Sequence, residues 1–353
     1  MITMKELLVM ANEKGASDVH ITVGVPPKCR VNGELVNIGV PAFAPDDTVN
    51  MVQALMDDKH RAILEEKGEV DFSYAIQHLG RYRVNIFKQR GSYAAAIRLV
   101  GVTIPKPEDL GIPNSVVELT SKKRGLVLVT GPTGSGKSTT LASLINIINE
   151  NYNSHIITLE DPIEYLHKHK RAIVNQREIG NDSETFASAL RSALRQDPDV
   201  ILVGEMRDLD TISIAVTAAE TGHLVFSTLH TIGAANTIDR IIDVFPPYQQ
   251  QQIRIQLANV IECIVSQQLL PLASGSGRVA AYEVMHANNA IRNLIREAKA
   301  HQIQSVMQTN RKAGMQTLDD ALYELYAKRV IDAEKCVAFS QDPVAMSRKV
   351  FMM

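Results

Sequence analysis

The spacing of apolar residues changes near residue 125, and the change divides the chain in two. Beyond that point four short runs are almost continuously apolar: LVLV at 126–129, IITL at 156–159, VILV at 200–203 and LVFS at 224–227. A strand buried on both faces has this signature, whereas a strand with one wet face alternates. Between the runs the spacing becomes helical. Leu141, Leu144, Ile145 and Ile148 recur at i, i+3, i+4 and i+7, which makes one apolar stripe. Strand and helix in alternation predict a parallel sheet with right-handed crossovers, an α/β fold. Beyond Pro271, SGSG at 274–277 separates two further short strands. From about Ala287 the pattern is helical to the end.

The residues before 100 read as a small α+β domain. A helix is predicted over 5–14, with Leu7, Leu8 and Met10 as its apolar contacts. Strands are predicted at 19–23 and 28–31, and Asn32-Gly33 is a hairpin signal. A helix over 46–66 ends near Gly68, and strands follow at 80–89 and 93–99 with Gly91 as the turn between them. Pro105, Pro107 and Pro113 then fall close together. Proline fixes φ and lacks an N–H, so 102–113 is excluded from helix and inner strand and reads as an interdomain linker. The predicted organisation is a domain over 1–101, a linker over 102–117, and a second domain over 118–353 ending in helices from about 287.

Chemistry enters at the loop after the first buried strand. Gly131, Pro132, Thr133, Gly134, Ser135, Gly136, Lys137, Ser138 and Thr139 match G-x-x-x-x-G-K-[ST], with a strand before them and an amphipathic helix after. Glycines let successive N–H groups face one anion, and the helix N-terminus adds partial positive charge. Lys137 suits the β- and γ-phosphates of ATP, and Ser138 suits Mg²⁺. Carboxylates cluster at the ends of the next strands, where a doubly wound sheet gathers its ligands. Glu205 follows VILV and is the first choice to hold Mg²⁺-bound water or to polarise the attacking one; Glu164, in EDPIE at 160–164, is the second choice for general base. Asp161 either takes part or, with Pro162, caps the next helix. Gly204 stands where an ordinary hhhhDE Walker B strand has Asp. His230 ends LVFSTLH at 224–230, level with Glu205, and reads as a γ-phosphate sensor.

Arg81 and Arg83 share a strand face, Arg98 ends the next strand, and Arg195 and Arg207 bracket the Glu205 strand. Such arginines stabilise a transferring phosphoryl group and in ring motors reach the site from another domain or subunit. Bulk composition narrows the partners. Among 353 residues, 37 basic and 39 acidic side chains give a net charge of −2, which argues against nucleic acid as a partner. Cys29, Cys263 and Cys336 lie far apart, so neither a zinc site nor a disulfide framework is suggested and a reduced cytosolic compartment fits. The N-terminus does not read as a signal peptide and no apolar run nears membrane-spanning length, so direct membrane insertion is not expected.

Together the motifs resemble a family. GPTGSGKST at 131–139, ITLEDPIE at 157–164, LRQDPDVILVGE at 194–205 and TGHLVFSTLH at 221–230 look like the Walker A, Asp-box, Walker B and His-box of type II/IV secretion ATPases. Gly204 fits that family's own Walker B. The short chain, the absence of paired C-x-x-C and the run AIRNLIRE at 290–297 resemble its pilus-retraction, PilT-like branch. In that run Ile291, Leu294, Ile295 and Ala298 make one helical stripe, with Arg292 and Arg296 on another face. The resemblance implies a PAS-like N-terminal domain, a RecA-like C-terminal domain and a homohexamer. It also implies ATP bound between the domains, Arg83 and Arg98 facing phosphate, and force delivered to an inner-membrane platform protein, with the motor cytoplasmic and peripheral to that membrane. Readings from other classes are a nucleic-acid-stimulated translocase, an extension or secretion motor of the same family, and a nucleotide-gated regulatory module with little turnover.

Overall fold

A computed structural model describes residues 2–31, 33–76, 79–100, 103–275 and 277–351. It divides into two compact units, residues 1–103 with 162–166, and the remainder of the chain.

In the first unit, α1 (Met4–Glu13) starts at Thr3, whose hydroxyl accepts from the Glu6 N–H while Glu6 returns the bond, a reciprocal cap. The strands β1 (Asp18–Ile21), β2 (Lys28–Val31), β3 (Glu34–Asn37), β4 (Glu69–Ile76), β5 (Gly80–Gln89) and β6 (Ser92–Leu99) form an antiparallel sheet in the order β3-β2-β1-β6-β5-β4. One helix was predicted over 46–66. The structure has two, α2 (Pro45–Gln53) and α3 (Asp58–Lys67), because Asp57 leaves the helix and accepts from the His60 N–H as a new N-cap. Gly68 ends α3 at φ 80°, a conformation that favours glycine. Strands β3 and β4 were not foreseen. Of the Asn32-Gly33 signal, Asn32 lies outside the described residues. The core gathers Leu7, Leu8, Val19, Val52, Leu64, Val84 and Ile97 from both helices and sheet.

The stretch read as a linker is folded. Val102 lies outside the described residues, but α4 (Pro107–Leu110) and α5 (Asn114–Val117) are single turns, and Ile112, Val116 and Leu119 are buried in the second unit's core. Pro107 occupies the first turn of its helix, where no N–H is required, so proline there starts helix rather than forbidding it.

In the second unit β7 (Gly125–Thr130), α6 (Lys137–Asn151), β8 (His155–Glu160), β9 (Ile173–Glu178), α7 (Phe186–Ala193), β10 (Val200–Val203), α8 (Leu209–Glu220) and β11 (Leu224–Leu229) alternate as expected except for β9, which was missed; α9 (Ala234–Asp243) and α10 (Pro247–Val260), for which no element was predicted, follow. β12 (Ile261–Pro271) and β13 (Arg278–His286) follow as a long hairpin, and Ser276 of its SGSG turn lies outside the described residues. The sheet order is β13-β12-β7-β11-β10-β8-β9. All neighbours run parallel except β12 and β13. Helices α11 (Asn289–Arg296), α12 (Ile303–Thr309), α13 (Leu318–Ala327), α14 (Ala333–Ala338) and α15 (Pro343–Phe351) complete the unit. Every residue of β7, β10 and β11 is buried, which is why their runs show no alternation. Leu141, Leu144, Ile145 and Ile148 face that sheet as one stripe.

The stripe predicted in 290–297 is shorter than its spacing suggested. Ile291 and Ile295 are buried and Leu294 packs beside them, but α11 ends at Arg296 and Ala298 turns to φ 58°. Arg292 is structural: it donates to the Ala258 carbonyl, to the Asn259 carbonyl at 2.8 Å and to Glu262 at 2.9 Å, closing the C-terminal end of α10. The three cysteines are free and buried, and no helix among the described residues is long and apolar enough to cross a membrane.

Candidate nucleotide site

The loop between β7 and α6 has no choice but glycine at its two ends. Gly131 sits at φ +143°, and a Cβ there would lie 2.2 Å from the Gln267 carbonyl oxygen. Gly136 sits at φ +89°, and its Cβ would lie 2.8 Å from Gln267 Nε2. Gly134 has φ +79° and open space around it. The crest at Pro132, Thr133 and Gly134 is exposed, while Ser138 and Thr139 at the start of α6 are half-buried. The Lys137 ammonium is buried against the loop and donates to the carbonyls of Gly131 at 2.9 Å and Pro132 at 3.0 Å. The Ser135 hydroxyl is buried with no partner among the described residues, a cost that a bound polar group would relieve.

Parallel order brings the carboxylates to the same sheet edge as this loop. β7 neighbours β11, β11 neighbours β10, and β10 neighbours β8, so residues following these strands gather together. Glu205, just after β10, lies 3.4 Å from His230 Nε2, just after β11, and 2.8 Å from Arg207 Nε. The two strand ends are locked: Thr228 Oγ1 donates to the Gly204 carbonyl at 2.6 Å and Ser227 Oγ to the Val203 carbonyl at 2.8 Å. Glycine at 204 has a steric cause. A Cβ there would lie 3.0 Å from the Leu159 carbonyl oxygen and 3.4 Å from Glu160 Cα, so an aspartate would have to push β8 aside. At the end of β8, Glu160 accepts from Thr158 Oγ1 at 2.6 Å and Gln176 Nε2 at 3.1 Å. The donor set of hydroxyl and carboxylate oxygens, with a lysine, suits a polyphosphate carrying a hard cation such as Mg²⁺.

The model of the type II/IV secretion system protein family matches residues 2–276 of this chain. The chain belongs to that family. It is 48% identical over 329 residues to the type IV pilus retraction ATPase PilT of Pseudomonas aeruginosa, covering 93% of this chain and 95% of that protein. It is also 48% identical over 321 residues to the twitching motility protein of Neisseria gonorrhoeae, covering 91% and 86%. A crystal structure of the pilus retraction motor PilT with bound ADP matches with a TM-score of 0.92 at 52% identity, over 99% of this chain and 100% of that one. The chain is therefore a PilT-like ATPase of the type II/IV secretion family, and the translocase and regulatory-module readings are set aside.

One anticipated site residue in this unit, Arg195, lies away from the cluster. Arg195 lies in the turn leading into β10, at the opposite end of that strand from Glu205. Glu164 is exposed and groups with residues 162–166 in the other unit. Arg83 and Arg98 are brought directly opposite each other across β5 and β6. Facing like charges are unfavourable in a sheet, and each arginine has an acidic neighbour: Asp71 at 3.7 Å from Arg83, Asp18 at 2.9 Å from Arg98. Arg207 was foreseen beside the Glu205 strand, whereas Gln267 was missed. Arg207 pairs with Glu205, and Gln267 of β12 grips the phosphate loop, donating to the Ser135 carbonyl and accepting from Thr140 Oγ1 at 2.8 Å. The signal for Gln267 was present: SQQ at 266–268 interrupts the apolar run of CIVSQQLL at 263–270, and a buried polar side chain needs partners.

Proposed function

We propose that this chain works as a homohexamer that hydrolyses ATP to power type IV pilus retraction, the pilin depolymerisation stroke of twitching motility. One observation carries the reading: a phosphate loop and a Glu205–His230 pair share one sheet edge in a chain 48% identical to PilT. In this reading the loop amides of 131–139 and Lys137 bind the triphosphate. Ser138 and, through water, Glu205 hold Mg²⁺, which neutralises phosphate charge when bound. Glu205 orients or deprotonates the attacking water, with Glu164 the other carboxylate weighed for that task. His230, bonded to Glu205, senses the γ-phosphate. Arg83 and Arg98, already paired face to face, stabilise charge on the transferring phosphoryl group. The motor is cytoplasmic and held peripherally at the inner membrane by a pilus platform protein, with no nucleic acid involved.

The test is biochemical and cellular. Lys137→Ala should abolish tight ATP binding. Glu205→Gln should bind ATP normally yet turn over about 10²-fold more slowly or worse. Cells lacking the protein should be hyperpiliated and unable to twitch. Bald cells would reverse the direction of force, and normal turnover by Glu205→Gln would remove that residue from the chemistry.

A further inference from the structure

Glu283 is 3% exposed, and nothing in the nucleotide chemistry above uses it. It lies on β13 opposite Ser266 of β12. Its Oε1 accepts from the Ala234 N–H, the first residue of α9, at 2.7 Å. Its Oε2 accepts from Gln341 Nε2 at 3.0 Å and from the Leu318 N–H, the first residue of α13, at 3.4 Å. Two helix N-termini and the segment before α15 thus meet on one buried carboxylate. Burial pushes its pKa up, and the Ala234 and Leu318 amides oppose that shift.

The Ala234 end of this junction is the end of the His230 loop. Within that loop the Gly233 N–H donates to Ser266 Oγ at 2.9 Å, and the Gly233 carbonyl accepts from Thr237 Oγ1 at 2.8 Å. Thr231 Oγ1 lies 2.7 Å from Thr237 Oγ1. Gly233 has φ +87°, and a Cβ on it would lie 3.2 Å from Gln341 Nε2. The loop is therefore fastened along its length, and Gln341 packs directly against it. Gln341 is itself held to α13, its N–H donating to Asp319 Oδ1 at 2.7 Å, with the Asp342 N–H on Asp319 Oδ2 at 3.2 Å. Glu283 and Gln341 thus tie α13 and residues 340–342 directly to the loop that begins at His230.

We infer that Glu283 is a positioning residue for His230, and that through it the C-terminal helices set the geometry of the His230–Glu205 pair. The inference rests on the sensor role proposed for His230. It predicts a mutational effect on turnover without one on ATP binding, because the phosphate loop hangs on Gln267, which points to a different set of partners.

The experiment uses the full chain as its assembled oligomer. Glu283→Gln keeps the shape but puts a neutral amide at two helix N-termini. Gln341→Ala removes a milder part of the junction and guards against misfolding of the first variant. Both should lower kcat per folded molecule, Glu283→Gln by about 10-fold, with ATP affinity unchanged, while the thermal midpoint falls for Glu283→Gln because its amide nitrogen cannot accept from the donors that Glu283 holds. On a His230→Ala background Glu283→Gln should have no further effect, since the group it positions is gone. Wild-type kcat in both variants overturns the inference, as does a matched loss of ATP affinity. A slow His230→Ala enzyme that Glu283→Gln slows by its full factor overturns the inference alone. A His230→Ala enzyme with normal turnover overturns the sensor role and this inference with it.

Discussion

Gln267 offers a sharp test of how the phosphate loop keeps its shape. It is 2% exposed, and its amide bridges the loop: Nε2 donates to the Ser135 carbonyl, and Oε1 accepts from Thr140 Oγ1. Gln267→Met keeps the volume and removes both bonds. Each buried group left without a partner costs about 1–3 kcal/mol. Thr140 lies in α6 and its hydroxyl can turn to the carbonyl four residues back, which softens its share. A total of about 2–4 kcal/mol follows. Both contacts sit at the loop rather than in the main apolar core, so the loss should fall on loop order. Expressed as binding, that range is about 30-fold to 1000-fold in ATP affinity. The assay is equilibrium titration with a fluorescent ATP analogue and Mg²⁺, beside a thermal melt. Thr140→Val should lose less, and the double variant should fall short of the sum, because both changes break the same bond. If Gln267→Met binds within about twofold of the parent (under about 0.5 kcal/mol), the side chain is packing and not a clamp.

Further outcomes follow from the same geometry. Gly204→Asp places a Cβ 3.0 Å from the Leu159 carbonyl, so restoring the common Walker B aspartate should cost about 1–3 kcal/mol and lower turnover; an unchanged denaturation midpoint would refute the steric account. Arg292→Ala strips the donors from the Ala258 and Asn259 carbonyls and one partner from Glu262. It should cost about 2–4 kcal/mol in urea unfolding while turnover per folded molecule is unchanged; a stable but inactive variant would contradict the structural role. Burial pushes His167 down from 6.5 to about 4. Between those values the unfolded chain binds more protons, so the stability held above pH 6.5 is lost as pH falls, by up to roughly 3 kcal/mol. His167→Gln should flatten that part of the stability profile, and parallel profiles for the two proteins would show that the histidine is not buried neutral.

Much of the second unit was readable from spacing alone. Continuous apolar runs marked β7, β8, β10 and β11 because those strands have no wet face, and an i, i+3, i+4, i+7 stripe marked α6. Where reading failed, a short-range competitor decided the outcome. Asp57 broke the expected long helix by capping a new one. Pro107 started a turn in a stretch assigned to linker. The edge strand β9 (burial alternating, with Asn175, Gln176 and Arg177 among its residues) carries no apolar run to announce it.

The amino-acid order by itself determined the phosphate loop, its flanking strand and helix, and the strand-end positions of Glu205 and His230. All of these are local: glycine φ preferences, helix periodicity and strand length act over a few residues. What it left open was which strands become neighbours. Only the folded sheet places β11 between β7 and β10, and so sets His230 beside Glu205. Only the folded sheet brings Gln267 to Thr140, 127 residues away, sets Arg83 opposite Arg98 and closes Glu283 over two helix N-termini. Those partners depend on crossover order and on close packing between distant segments, and neither is written in the periodicity of any one stretch.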